Sequence, residues 1–157
     1  MVVRGPAAEL SVVSRRFVVG GGAALAGVAA VVALAPGSAE GLGSLSVGEA
    51  HAAASSGDIL LVDIRRPDEW AATGVPASGV PIDMRRPDLA EAILAARTRP
   101  DQPIAIICAR GVRSRRLSSA LIDAGIGPII DVPAGMLGSL AGPGWLRSGL
   151  PVKDPPT

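Results

Sequence analysis

Past its first forty or so residues, the chain alternates short apolar runs with stretches in which apolar residues recur at helical spacing. Ser46 and Glu49, three residues apart, form a capping box, and Ala50, Ala53 and Ala54 line the helix that follows until Gly57-Asp58 ends it. Ile59 to Ile64 is continuously apolar apart from Asp63, as expected of a strand covered by helices on both faces, with Asp63 and Arg65 closing it. Pro67 opens a short helix with Asp68 and Glu69 in its first turn and Trp70 to pack inward. The prolines and glycines from Gly74 to Pro81 predict a loop, and Val80 to Asp83 a short strand. Pro87 to Arg99 reads as a helix with Leu89, Ile93 and Leu94 on one face.

Ile104, Ile106 and Ile107 then make a buried strand that runs into Cys108. A basic, glycine-bearing loop follows from Ala109 to Arg113. Ser114 stands where an N-cap belongs, and Leu117, Leu121 and Ile122 recur at helical spacing up to Gly125. Ile129 to Val132 is a further buried strand, Pro133 to Met136 a loop, and Met136 to Leu140 one expected helical turn. Alternating strands and helices of this kind build an α/β fold on a parallel sheet with right-handed crossovers.

The N-terminal segment follows a different pattern. Val13-Ser14-Arg15-Arg16-Phe17 precedes a charge-free run to Ala35 that is rich in Gly and Ala, and Pro36 to Glu40 closes it. Adjacent arginines, an apolar run and small residues at Gly37-Ser38-Ala39 are the parts of an export signal. Ser14-Arg15-Arg16 resembles the bacterial twin-arginine signal, with Phe17 one position early. The run is close to the ~20 residues that span a bilayer, so an uncleaved anchor is the alternative; as a core helix, its four glycines would each cost about 1 kcal/mol. The expected division is an export signal or membrane anchor over 1–39, a linker over 40–45, one domain over 46–153 and a tail over 154–157. The location expected for this domain is periplasmic or extracytoplasmic.

Composition narrows the chemistry. The formal net charge of +1 leaves no footprint for nucleic acid. Phe17, Trp70 and Trp145 are the only aromatic residues, so Leu, Ile, Val and Ala must build the core. One histidine, His51, and one cysteine make a transition-metal site a poor expectation, and no cofactor is implied. Cys108 itself has two readings. It is a small buried hydrophobe, or it is a nucleophile at the C-terminal tip of a strand, where open α/β sheets bind ligands. A helix N-terminus with Arg110 and Arg113 beside it would favour the thiolate.

Three signatures, in order, resemble the rhodanese-like domain over nearly everything after Ser46. They are Val62-Asp63-Ile64-Arg65-Arg66-Pro67-Asp68-Glu69-Trp70; Cys108-Ala109-Arg110-Gly111-Val112-Arg113-Ser114; and Gly135 with Trp145 and Gly149-Leu150-Pro151-Val152. The resemblance implies a rhodanese-like α/β fold, with a central parallel sheet of about five short strands and helices on both faces. It also implies a sulfurtransferase in which Cys108 carries sulfur as a persulfide. The loop Ala109, Arg110, Gly111, Val112, Arg113 and Ser114 would then hold the persulfide or the donor's oxyanion, with Asp63 and Arg65 in support. The implied partners are a small sulfur donor such as thiosulfate, a thiol or cyanide acceptor, and an envelope protein, with transient membrane contact through the N-terminal segment. Ala109 and Ala134, and Gly74-Val75-Pro76-Ala77-Ser78-Gly79, depart from the family's usual residues and bear on substrate preference.

Two rival readings remain at this level. Related cysteine phosphatases and arsenate reductases carry one residue more between cysteine and arginine; here four residues separate Cys108 from Arg113. A non-catalytic sulfur-carrier or binding module at the envelope is the other, although such relatives often lose the cysteine. Export is testable separately. Replacing Arg15 and Arg16 together by Lys is expected to block delivery to the periplasm, measured by fractionation, if the twin-arginine route is used.

Overall fold

The computed structural model describes residues 43–156. The twin arginines and the apolar run that follows them lie outside this range. Among the described residues, no helix is long and apolar enough to cross a membrane.

Strands β1 (Gly43–Ser44), β2 (Leu60–Asp63), β4 (Gly79–Pro81), β5 (Ile104–Ile107) and β6 (Ile129–Asp131) form one parallel sheet in the order β1-β6-β5-β2-β4. The pairing register explains why the strands are apolar throughout. Leu61, Ala105 and Ile130 align and face one layer, which contains Val47 and Ala50 of helix α1 (Val47–Ser56) and Trp145 of α5 (Gly144–Arg147). Leu60, Ile104 and Ile129 align and face the other, which contains Ile93 of α3 (Leu89–Ala95) and Leu121 of α4 (Val112–Asp123). Both faces are therefore covered, as the sequence implies. Ile104, Ile106 and Cys108 alternate onto the second layer, so the cysteine continues the inward rank of its strand.

Local chemistry sets the element ends. Ser46 and Glu49 cap α1 reciprocally: the Ser46 amide donates to Glu49 Oε2 at 2.8 Å, and the Glu49 amide donates to Ser46 Oγ at 3.3 Å. Gly57, at φ 83°, ends α1 as expected. His51 stacks edge-on against Trp145 at 5.5 Å, a packing role. Helix α2 (Pro67–Thr73) starts at its proline.

The structure differs from the sequence pattern at several places. Gly43–Ser44, expected within the linker, pair with Ile130 and Asp131 at the sheet edge. The stretch from Gly74 to Pro81, expected as loop up to Val80, contains β3 (Val75–Pro76) and β4; β3 pairs antiparallel with β7 (Val152–Lys153) of the returning tail. Trp145 Nε1 and the Ala77 amide both donate to the Pro151 carbonyl at 3.0 Å, which brings the tail to β3. Helix α3 is shorter than Pro87 to Arg99. Pro87 and Asp88 form the turn before it, and past its end Gln102 Oε1 takes the Thr98 amide at 3.0 Å in place of a helical carbonyl. Met136 to Leu140 is a turn without a helix.

Buried charge fixes the tip of β2. Asp63 and Arg65 are 0% and 1% exposed. Arg65 Nε lies 3.0 Å from both Asp63 oxygens and Nη2 2.7 Å from Oδ2. The remaining guanidinium donors reach Thr73 Oγ1 at 2.7 Å, the Glu69 carbonyl at 3.2 Å and the Gly74 carbonyl at 2.7 Å. Every donor of the fork has a partner, and three of those partners lie in or just after α2. Removing one member strands the other charge. Arg65→Leu is expected to cost about 3–5 kcal/mol in urea unfolding, whereas Asp83→Asn, whose partner Arg85 is exposed to solvent, should cost about 1 kcal/mol or less.

Candidate active site

The segment between β5 and α4 is built around a single left-handed glycine. Gly111, at φ 83°, is the N-cap of α4, and its carbonyl accepts the Arg115 amide at 3.1 Å. A Cβ at this position would collide with the Pro133 carbonyl oxygen, so only glycine lets the chain turn this tightly against the neighbouring loop. Gly135 answers from the other side. At φ 63°, its Cβ would sit 2.6 Å from the Ala109 carbonyl oxygen. The Met136 and Leu137 amides donate to the Cys108 and Ala109 carbonyls at 2.8 and 2.9 Å, so the two loops are joined backbone to backbone.

This turn begins the helix earlier than the sequence pattern implies. Ser114 is not the N-cap; it is a fully buried residue in the first turn of α4. Its hydroxyl donates back to the Gly111 carbonyl at 3.0 Å. Gly111 can take the cap position because its left-handed backbone is the conformation other residues avoid.

Cys108 is 1% exposed. Its Sγ accepts the Gly111 amide at 3.2 Å and lies 3.6 Å from Ser114 Oγ. The loop thus closes on one sulfur atom, with the amino end of a helix carrying no side-chain cap beside it. A helix amino end is where negative charge is favoured in general. Ala109 is buried and Arg110 and Val112 point outward.

Arg113 has a partner that the sequence pattern does not reveal. Its Nη1 and Nη2 donate to the two Glu69 carboxylate oxygens at 2.7 and 2.6 Å. Glu69 belongs to the first signature and Arg113 to the second, so their pairing could have been sought there. The Arg113 guanidinium holds the Glu69 carboxyl down at about 2, and the pair, with a further contribution from Cys108, raises Arg113 above its ordinary value. Part of the positive charge expected to face the thiol is therefore met by Glu69. Asp63 and Arg65 direct their side chains to each other and to α2. Neither side chain is hydrogen-bonded to Cys108; the backbone of β2 lies beside it, with Asp63 opposite Ile107 in the register. Among the described residues, no cluster of three or more His, Cys, Asp or Glu is placed to hold a metal ion.

The model of the rhodanese-like domain matches residues 46–138. A sulfurtransferase of Allochromatium vinosum is 29% identical over 102 residues, which is 65% of this chain and 85% of that protein. Among solved structures, the polysulfide-sulfur transferase homodimer of Wolinella succinogenes superposes with a TM-score of 0.57 at 26% identity, covering 73% of this chain and 80% of that one. A crystal structure of a protein from M. tuberculosis superposes with a TM-score of 0.59 at 25% identity, covering 74% of this chain and all of its own.

The Glu69–Arg113 pair gives the stability a defined pH dependence. A carboxyl lowered from 4.5 to about 2 stabilises the fold fully above its unfolded value and loses that contribution as pH falls through the folded one. Glu69→Gln is expected to lower stability by about 1 kcal/mol near neutrality. The difference from the parent protein should hold down to about pH 5 and vanish towards pH 2. Urea unfolding of both proteins across pH checks this.

Proposed function

Since the chain belongs to the rhodanese-like domain family, we propose that it moves sulfane sulfur from a small donor such as thiosulfate to a thiol or cyanide acceptor, through a persulfide on Cys108. The observation that carries this reading is the Gly111 amide on Cys108 Sγ at 3.2 Å, inside a loop only four residues long between Cys108 and Arg113. A loop of that length brings one backbone donor, the Gly111 amide, onto the sulfur. A tetrahedral oxyanion over the thiolate needs a wider ring, which weighs against phosphatase chemistry.

The reaction divides into two displacements. The Cys108 thiolate attacks the outer sulfur of thiosulfate; the new S–S bond forms as the old one breaks, and sulfite leaves with its electron pair. The acceptor then attacks the outer sulfur of the persulfide, becoming thiocyanate or a new persulfide and returning the Cys108 thiolate. The Gly111 amide and the α4 amino end stabilise the negative sulfur in both states. The close burial of Cys108 suits a donor that presents one slim terminal atom. Cys108 is the only cysteine of the chain, so the second nucleophile comes from outside it.

Export completes the proposal: the adjacent arginines and the apolar run after them support action outside the cytoplasm, with the acceptor a small thiol or an envelope protein. Incubation with thiosulfate is expected to add one sulfur, about 32 Da, to Cys108. Intact-protein mass spectrometry reads it, and Cys108→Ser should show no adduct and no transfer to cyanide. The absence of an adduct across several sulfur donors would refute the reading.

A further inference from the structure

Between Gly135 and Trp145 the chain makes a detour. The Trp145 amide donates to the Gly135 carbonyl at 2.9 Å, and the Leu146 amide to the Met136 carbonyl at 3.1 Å. Each bond joins residues ten apart, where an α-helix joins residues four apart, so two consecutive helix-like bonds close over six extruded residues. The neck of the detour is shut. A Cβ on Gly138 would lie 2.7 Å from the Pro143 carbonyl oxygen, and one on Gly144 would collide with the Gly138 amide nitrogen.

The extruded residues form a tight hairpin. Ser139 and Gly142 exchange amide–carbonyl bonds at 3.0 and 3.2 Å, with Leu140 and Ala141 at the tip. Ser139 Oγ accepts the Ala141 amide at 3.0 Å and donates to the Pro133 carbonyl at 2.8 Å. That carbonyl is the one packed against Gly111, whose amide meets Cys108 Sγ. The hairpin is therefore fastened at its base to the wall of the sulfur loop. Leu140, at its tip, is fully exposed.

A lone surface leucine needs no explanation. Leu140 is not alone. Six large apolar side chains are exposed among the described residues, and three of them, Val112, Leu137 and Leu140, stand on the two segments that border Cys108. Val112 follows Gly111, and the Leu137 amide donates to the Ala109 carbonyl. The same segments, 109–116 and 133–142, carry four arginines and no acid. Arg113 is taken by Glu69, whereas Arg110, Arg115 and Arg116 are exposed and have no acidic partner in an ion pair among the described residues. Val112, Arg115 and Arg116 share one face of α4, and Arg115 lines a cleft with Pro133, beside the base of the hairpin.

The rim thus offers apolar contact together with uncompensated positive charge. A second copy of the chain does not suit it, because a symmetric contact would set these arginines against their own counterparts. A bilayer pressed onto the rim would shut an acceptor out from Cys108.

We propose that this rim docks the sulfur acceptor, and that the acceptor is a protein segment carrying its thiol among acidic and apolar side chains, with Leu140 as the apolar anchor. The inference takes its purpose from the proposed sulfur transfer. In that step the acceptor thiolate attacks the outer sulfur of the Cys108 persulfide. The new S–S bond forms as the bond to Cys108 breaks, and Cys108 departs as a thiolate while the acceptor keeps the persulfide. Docking aligns the attack: carboxylates of the segment meet Arg110, Arg115 and Arg116, and its apolar side chains meet Val112, Leu137 and Leu140.

Binding can be read without any sulfur donor. Fluorescein-labelled peptides, with Ser in the thiol's place flanked by Leu and by Glu, Gln or Lys, are titrated with the full chain and followed by anisotropy. The Glu peptide is expected to bind about tenfold more tightly than the Gln peptide, and the Lys peptide more weakly than either. In about 0.5 M salt the preference should shrink to about threefold or less. Leu140→Ser and Arg115→Glu should each weaken the Glu peptide about three- to tenfold, with the urea midpoint unchanged. With Cys restored to the peptides, sulfur handover from the thiosulfate-loaded protein should follow the same order. Equal binding of the three peptides, no measurable binding, or no loss in Leu140→Ser overturns the proposal. So does a protein that ignores the peptides and sediments with phosphatidylglycerol vesicles through Leu140, which would make the rim a lipid-facing surface. Peptide preference in a protein that takes no sulfur from any donor leaves the docking of an acidic segment standing and removes the proposed function. Sulfur transfer without the preference does the reverse.

Discussion

The buried Arg65–Asp63 pair is the constraint on which the placement of α2 and of its Glu69 depends. Arg65 ties the tip of β2 to the Glu69 carbonyl, Thr73 and Gly74, and so fixes the second half of α2. Helix α2 then presents the Glu69 side chain, which takes Arg113 with both carboxylate oxygens. Arg113 stands in the first turn of α4, whose start sets the Gly111 amide on Cys108. Two charges with almost no exposure thus tie β2, through α2 and a second ion pair, to the helix that begins beside the thiol. Their energetic case rests on complete pairing, since either charge alone in that position would be strongly unfavourable.

Around this line, the loop divides its tasks between backbone and side chain. The backbone supplies a contact to sulfur through the Gly111 amide. Arg113 supplies placement, through its pair with Glu69. Arg113 is half-buried and held, while Arg110 is exposed and free to meet a ligand from solvent. An amide fixed in a turn would keep its direction through the thiolate and persulfide states proposed for Cys108.

What the sequence made legible, and what it hid, follows from the range over which each interaction acts. The Ser46–Glu49 box, the proline at the start of α2 and the left-handed Gly57 are local, and the structure has all three where the residues imply them. The apolar runs of β2, β5 and β6 are legible because both faces of a parallel sheet must be covered. The strand at Gly43–Ser44 and the β3–β7 pair are two residues long and exist only through their partners, so no periodicity announces them. Ser114 reads as a cap because its type is right, but Gly111 can reach a backbone conformation that serves the turn better. The Glu69–Arg113 pair joins residues 44 positions apart.

The interlock of Gly111 against Pro133 and Gly135 against Ala109 bears on how such a site can change over time. Widening the loop by one residue to admit a larger anion would push Gly111 into the neighbouring backbone unless the 133–136 turn withdrew in the same step. Neither loop can lengthen profitably alone. Ring size is therefore a property of two segments at once, and a change in one alone leaves both turns misfitted. Substitutions on the outward side chains, Arg110 and Val112, meet no such barrier. The rim of the loop is thus free to vary while the dimensions of its backbone ring stay fixed.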